Sequence, residues 1–320
     1  MNEIWGPENP AIVWHWLIAV YLFLAGLSSG AMITALSVEW MNPQKKAPWD
    51  AFERAGVLIA PLSIILGLVL LIFDLTKPLN FYRLLITYNL SSVMSLGVLL
   101  LLFYTPLSVI YAIMRYRGAL ERSFVGGLIR AFSGILDWLE SHSLWFGRLV
   151  FALAGGVGVY TGFLLSAVQT FPLYNSPILP ILFLASGLSS GIAACICVGL
   201  LFFEKEVSQS TTKYLLTMDL RVIPIESLLI FALFVGLYFQ GGEKAIAAVT
   251  ALSVGTWAWV FWLGVIGFSV VIPSVIALTA LKNHAYKVNF ILLNAFSIMI
   301  GVFALRMYIL YAGQLHLGVF

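Results

Sequence analysis

Charge is scarce in this chain. Only 10% of its 320 residues are Asp, Glu, Lys or Arg, against about 25% in a soluble domain. Apolar residues make up 61% and the mean hydropathy is +1.00, a surface that water would not solvate and lipid would. Cysteine is nearly absent. Cys195 and Cys197 both lie in an apolar run, which leaves no zinc, iron–sulfur or disulfide framework. As i and i+2 on a helix they point to different faces, as buried structural residues do. Histidine is equally sparse. His142 and His284 fall in predicted loops, and His15 and His316 at predicted helix ends. A cytochrome-b-type anchor needs paired histidines inside its spans as axial haem ligands, so no haem is expected. No P-loop, Rossmann fingerprint or metal motif appears. Glu3 and Glu8 stand where a signal peptide would carry Lys or Arg, and the first apolar run is too long for a signal h-region.

What the protein has is apolar length, with 23 Phe and 10 Trp of the kind that anchor helices at a bilayer interface. A spanning helix needs about 20 apolar residues. Eight segments qualify, at roughly 13–38, 52–76, 88–114, 145–170, 177–203, 221–241, 253–281 and 286–314. The fold class expected is an all-α polytopic membrane protein with eight transmembrane helices. Most connections are short; the third, 115–144, is longer. There Val125, Leu128, Ile129, Phe132, Ile135, Leu136 and Leu139 follow helical spacing between Arg122, Arg130, Asp137 and Glu140. That pattern predicts a helix over about 119–140 lying on the cytoplasmic membrane surface. A ninth span there would strand too many charges.

Lys and Arg are unevenly placed. Thirteen lie on the side of the loops after helices 1, 3, 5 and 7: Lys45, Lys46, Arg54, Arg115, Arg117, Arg122, Arg130, Arg148, Lys205, Lys213, Arg221, Lys282 and Lys287. The other side has Lys77, Arg83 and Lys244, and Arg306 lies within a span. The positive-inside rule puts the thirteen in the cytoplasm and both termini outside, which in a Gram-negative bacterium is the periplasm.

The sequence also repeats itself. Leu22–Gly30 reads LFLAGLSSG and Leu182–Gly191 reads LFLASGLSSG, while Pro106-Leu-Ser-Val-Ile in helix 3 matches Pro273-Ser-Val-Ile in helix 7. The offsets, 161 (Gly26 to Gly187) and 167 (Pro106 to Pro273), are nearly equal. Two pseudo-repeated four-helix bundles follow. The first comprises residues 1–144, including the surface helix, and helix 4 at 145–170; the second comprises 171–320. Both halves enter from the same side, so the axis relating them runs along the membrane normal. The Gly and Ser residues of the repeated stretch suit close helix contact, packing being favoured there over ligand binding.

Polar residues inside a bilayer need a partner or a task. Arg306 lies about 12 Å from the outer end of helix 8, at 1.5 Å per residue. It pairs with a carboxylate, snorkels outward or polarises a ligand carbonyl. Asp74 ends helix 2, as an interfacial carboxylate balanced by Lys77 or as a proton acceptor beside a redox site. Tyr160 stands between Gly158 and Gly162 in helix 4, where a flat ligand has room to approach. His15, within Trp14-His15-Trp16, is an interface anchor or a quinone hydrogen-bond donor. Gln314 and His316 close helix 8. By this topology His15, Asp74, Tyr160, Arg306 and Gln314 all fall in the outer half of the membrane. Glu226, in the cytoplasmic half near Asp219 and Arg221, reads as one end of a proton path or, more simply, a local ion pair.

Taken together, these residues resemble the NrfD-type membrane subunits of molybdopterin and iron–sulfur redox complexes, the polysulfide reductase membrane subunits in particular. The opening Met1-Asn-Glu-Ile-Trp-Gly6, Trp14-His15-Trp16 and Ile18–Gly30 look like the start of such a subunit. Asp74-Leu-Thr-Lys-Pro78 looks like the family's Asp-Leu-Gly-Arg-Pro type of motif. Tyr160-Thr161-Gly162 matches its Tyr-Thr-Gly, and Leu305-Arg306 with Ala312-Gly313-Gln314 matches its helix 8 ending. The resemblance implies a menaquinone/menaquinol site near the outer face. It implies docking to an iron–sulfur electron-transfer subunit, and through it to a molybdopterin catalytic subunit, both periplasmic, in anaerobic respiration. Tyr160 would hydrogen-bond the quinone headgroup, with Thr161 beside it, and Asp74 would take part in proton release. Arg306 and Gln314 would shape the site. The sequence departs from the family on helix 1. Where some relatives have Asn and His it has Ile18 and Tyr21, so either Tyr21 or His15 supplies the helix 1 donor.

The expectation is therefore a quinol-oxidising anchor, in the bacterial inner membrane, of a reductase for polysulfide or a related sulfur compound, and not the terminal catalytic subunit. Its iron–sulfur partner would dock on outer loops at roughly 75–87, 171–176 and 242–252. Anchors of thiosulfate, tetrathionate or nitrite reductases are the near alternatives. A secondary transporter, with helices 1 and 5 broken at their Gly- and Ser-rich stretches, is the alternative from another class.

Overall fold

A computed structural model describes residues 14–41, 50–75, 78–82, 86, 89, 91–123, 126–203, 209–283 and 288–314. Met1–Gly6, Glu8, Lys45, Lys46, Lys77, Arg83, Val125, Lys205, His284, Lys287 and His316 lie outside the described residues.

Apolar runs of spanning length become eight long helices: α1 (Trp16–Met41), α2 (Ala51–Asp74), α3 (Val93–Arg115) and α4 (Ser143–Ser166), then α5 to α8. Helix α5 (Leu179–Val198) continues as a π-helical stretch, Gly199–Phe203. Helix α6 covers Gln209–Gln240. Helix α7 runs from Gly255 to Asn283 with a π-helical middle, Val260–Val271. Helix α8 is Val288–Gln314. All eight are long and apolar enough to cross a membrane, and the protein is an all-α polytopic membrane protein. Residues such as Leu62, Phe73, Phe103, Phe231 and Leu263 face outward, as side chains solvated by lipid do.

Helices α1 and α5 form the centre. Their apolar windows are 83% and 78% buried, against 22% for α3 and α7. Helices α2, α4 and α8 pack on α1, and α4, α6 and α8 on α5. The repeated LFLA(S)GLSSG stretches are where α1 and α5 cross. A Cβ on Gly30 would sit 2.0 Å from the Gly187 carbonyl oxygen, and one on Gly191 2.1 Å from the Gly30 carbonyl carbon. Only glycine admits this approach. Both helices are unbroken through these stretches, contrary to the broken helices a transporter reading allows.

Two boundaries differ from the sequence expectation. Helix α6 begins at Gln209 rather than near 221. Its first turns are polar, which hydropathy reads as loop, yet Thr211 and Asp219 there are buried and hydrogen-bonded. Thr211 donates to the Asp50 carboxylate at 2.7 Å, and the Ser189 hydroxyl donates to Asp219 at 2.6 Å. Asp50 also caps α2 by accepting from the Phe52 amide. Residues 242–252, expected as loop, form most of a helix, Gly242–Ser253, which starts after Gly241 at φ +71°.

The surface segment is helical, but in three pieces: Arg117–Leu120, Gly126–Ala131 and Ser133–Ser141. Ile129 and Leu136 turn into the core, while Leu128, Phe132, Ile135 and Trp138 stay exposed. Arg117 ties the pieces together through Glu121 (2.8 Å), Asp137 (2.5 Å) and Glu140 (3.7 Å).

Candidate functional site

Helix α1 organises the predicted site residues by level and by face. Its first turn begins beyond His15, whose carbonyl accepts from the Ile18 amide. The His15 Nδ1 lies 3.9 Å from the Asp74 carboxylate at the end of α2. That distance suits an ion pair when His15 is protonated and is too long for a hydrogen bond. The His15 side chain is 55% exposed and that of Asp74 19%. A proton can therefore reach the surface from this pair.

Deeper along α1, Tyr21 lies against Gly67 of α2, where a Cβ would meet the Tyr21 ring at 3.3 Å. Gly67 precedes Asp74 by seven residues, two turns or about 10 Å along the axis. The Tyr21 side chain is wholly buried and its hydroxyl has no partner among the described residues. The Tyr160 hydroxyl, on α4, lies within electrostatic reach of it. Tyr160 is 8% exposed, and its ring occupies the space that a side chain at Gly97 of α3 would fill. A Cβ there would fall 1.6 Å from the Tyr160 Cζ and 2.1 Å from its hydroxyl oxygen. Tyr21 and Gly67 thus meet where α1 packs on α2, Tyr160 and Gly97 where α4 packs on α3, and the carboxylate–histidine pair stands at the Asp74 end of α2.

Gly97 and Gly67 are the residues sequence reading missed. A signal for Gly97 existed, because Gly97, Tyr104 and Tyr111 recur every seven residues on the buried face of α3. Below Tyr160 that face carries Tyr104, bonded to the Ser28 hydroxyl at 2.9 Å. At its far end Tyr111 donates to Glu39 at 2.5 Å, and Arg115 pairs with Glu39 and Glu53. Glu53 is a buried carboxylate that composition did not single out.

The remaining predicted residues stand elsewhere. Thr161 is fully buried and donates to the Gly158 carbonyl of its own helix at 2.8 Å. Arg306 faces α1 at Gly26, five residues past Tyr21 and so about 140° around the helix. Its Nη2 donates to the Phe183 carbonyl at 2.9 Å, and its guanidinium lies over the Phe183 ring at 3.7 Å. Its charge interacts with Glu226, which the sequence had placed in the other half of the membrane. Glu226 is fully buried and accepts from Ser269 at 3.4 Å. No ion pair joins it to Arg221 among the described residues.

Gln314, the last residue of α8, grips the backbone beside His15. Its Oε1 accepts from the Trp14 amide at 2.7 Å, and its Nε2 donates to the Trp14 carbonyl at 3.0 Å. This contact places both ends of the described chain on one face, as an even number of spans requires. The Trp14 indole stacks on Tyr174 (5.9 Å, 14°), whose hydroxyl donates to the Leu310 carbonyl at 2.5 Å. Burial pushes the Tyr174 hydroxyl above its usual range, so it stays a neutral donor. On the same face, a cavity of about 500 Å³ is lined by Gln169, Thr170, Pro172, Gln240, Glu243 and Lys244. Among the described residues no group of three His, Cys, Asp or Glu could hold a metal ion, and both cysteines are free and buried.

Residues 6–318 match the family described as "Polysulphide reductase, NrfD". Over 320 residues the protein is 48% identical to a polysulfide reductase polypeptide of Wolinella succinogenes, an alignment that takes in 99% of this sequence and 100% of that one. It is 38% identical over 317 residues to a protein NrfD homolog of Haemophilus influenzae, with 96% of each sequence aligned. A selenate reductase polypeptide of Mesobacillus selenatarsenatis is 28% identical, with 92% of this sequence and 72% of that one aligned. The chain belongs to the NrfD/polysulphide reductase family.

Proposed function

We propose that this protein is the membrane anchor that oxidises menaquinol for a multi-subunit reductase of polysulfide or a related sulfur compound. The observation that carries the reading is the Tyr21–Tyr160 pair. A buried tyrosine hydroxyl without a protein partner is expensive unless a ligand satisfies it, and this one is within electrostatic reach of a second hydroxyl, about two turns of α2 from a titratable pair. Bound menaquinol would supply two electrons and two protons. Tyr160 and Tyr21 hold and orient the headgroup by their hydroxyls. Asp74 receives the two protons in turn, and His15, half in solvent, passes each outward before the next is taken up. Gly97 and Gly67 keep the rings where they are. Arg306 and Thr161 act from behind this wall, by fixing the α1–α5 crossing and the α4 backbone, and Gln314 acts from its rim.

Electrons then leave through a partner. An iron–sulfur subunit, carrying them on to a molybdopterin subunit, docks on the face that holds Trp14 and Gln314, over the Gly242–Ser253 helix and the 500 Å³ cavity. The relatives' names, polysulfide reductase and selenate reductase, favour a reductase anchor over a transporter, with thiosulfate, tetrathionate and nitrite reductase anchors as the alternatives for the acceptor.

Tyr160→Phe tests the site. Removing one hydrogen bond of about 0.5–1.5 kcal/mol lowers quinol-driven reduction by about threefold to tenfold, with the complex still assembled. Unchanged turnover removes Tyr160 from the site. The proposed inner-membrane orientation, termini in the periplasm, rests on the thirteen-to-three charge asymmetry. Gly118 is exposed with nothing near its Cβ position, so Gly118→Cys is tolerated. An impermeant thiol reagent labels it only from the cytoplasmic side, and labelling from outside reverses the topology.

A further inference from the structure

The end of the second bundle holds a proton-handling residue of the first. The grip of Gln314 on Trp14 is bidentate and local in its consequence, because the residue it immobilises is the one before His15. Main-chain freedom at His15 is then removed on both sides. Upstream, the Trp14 amide and carbonyl are both bonded to one side-chain amide. Downstream, the His15 carbonyl is bonded to the Ile18 amide in the first turn of α1. Only the imidazole itself is left to rotate, and it stands 3.9 Å from Asp74.

Gln314 is itself braced. Its Nε2 also donates to the Leu310 carbonyl at 3.0 Å, the same oxygen that accepts from Tyr174. Tyr174 can lie flat against α8 because residue 313 is glycine, where a Cβ would fall 2.0 Å from the Tyr174 Cε1. The Trp14 indole rests on the other face of that arrangement. Gln314 is 0% exposed, so its amide is spent on this contact and does not face solvent.

We infer that Gln314 is a positioning residue. Through the main chain of Trp14 it sets the imidazole of His15 against Asp74, and so governs proton departure from the site. The inference rests on the quinol reading above. An amide that copies a backbone partner fixes a segment more tightly than apolar packing does, because it specifies register as well as proximity. A Gln314 that served only to seal the end of α8 would affect stability and leave His15 chemistry unchanged.

The test uses the intact complex with two readouts. In the first, Gln314→Met, similar in size and without hydrogen bonds, lowers quinol-driven turnover about tenfold, as misplacement of a reacting group does. It also converts the pH profile to that of His15→Ala. Added to His15→Ala, it changes turnover by less than about twofold, because both changes act on one step. Independent, multiplying effects overturn the inference, as does a Gln314→Met profile like the parent's. The second readout needs no quinol. A His15→Cys/Asp74→Cys pair is bridged by a short bifunctional thiol reagent, and Gln314→Met slows bridging about tenfold. An unchanged bridging rate overturns the clasp. Absent quinol turnover in the parent complex, with bridging still dependent on Gln314, overturns the quinol reading instead, and with it the assigned role in proton departure.

Discussion

Gly97→Ala lowers quinol-driven reduction about a hundredfold, more than Tyr160→Phe does, although it adds one methyl group and removes no functional group. The reason is geometric. The new Cβ would lie 1.6 Å from Cζ and 1.9 Å from Cε2 of Tyr160, well inside contact distance, so the ring must leave. Tyr160 has only two side-chain torsions, and its ring is confined among α1, α3 and α4, so it moves by an ångström or more. Displacement of a substrate-orienting group by about 1 Å is worth about 10² in rate. Tyr160→Phe keeps the ring in place and forfeits one hydrogen bond. In a double-mutant cycle Tyr160→Phe adds little once Gly97→Ala is present, because the hydroxyl has already been withdrawn. Initial rates with a menaquinol analogue, normalised to assembled complex, decide this. Turnover of Gly97→Ala within twofold of the parent would place the reacting quinol elsewhere. Gly118→Ala, on the exposed opposite face with nothing near its Cβ position, is the control that should change nothing.

The second large effect belongs to Arg306. The fully buried guanidinium keeps one bond to a carbonyl and an aromatic face. Glu226 is within electrostatic reach but beyond ion-pair distance, and the Nε and Nη1 have no partner among the described residues. Removing one of two interacting buried charges leaves the other uncompensated, at a cost of up to about 3–5 kcal/mol, the value for a direct pair. Arg306→Met therefore lowers the unfolding temperature of the purified subunit and depletes it from membranes. Glu226→Gln alone also destabilises, because it strands the guanidinium. Arg306→Met combined with Glu226→Gln recovers most of the loss, since two buried charges disappear together. If the double variant is as unstable as the sum of the singles, the two groups do not act as a pair. If Arg306→Met is as stable as the parent, the charge is balanced by something else.

These two residues illustrate what could be read in advance. Arg306 stands out in the sequence as a charge within an apolar run, and Glu226 as another, but they were assigned to opposite halves of the membrane. Their sequence positions give depth along separate helices and say nothing about tilt or rotation, which packing sets. The same limit hid Gly97 and Gly67. A glycine in an apolar span signals close approach, and only the neighbouring helix reveals that the approaching group is Tyr160 or Tyr21. The burial of Asp219 and Thr211 was hidden for another reason. Their turns of α6 are too polar for a hydropathy window, and their hydrogen bonds to Ser189 and Asp50 are what allow burial.

Gln314 is an intermediate case. Its place at the end of a span, on the same side as His15, followed from counting spans and charges. Its bond to Trp14 could not follow, because the partner is a main-chain group 300 residues away, and every residue offers the same backbone atoms. The glycines at the α1–α5 crossing were more legible. Their repetition 161 residues apart announced two helices of one kind, and mutual packing is the simplest use for two such surfaces.

By itself, then, the sequence determined the eight apolar helices and hence an even number of spans, two small-residue stretches suited to close helix contact, and the family. Each of these depends on composition and spacing along one dimension, where the cost of polar groups in lipid is decisive. Tertiary structure alone decided which hydroxyl meets which glycine, that Arg306 binds the Phe183 carbonyl beside Gly26, and that Gln314 holds the residue before His15. Those outcomes depend on helix rotation and on side-chain reach of a few ångströms, to which hydropathy along the sequence is blind.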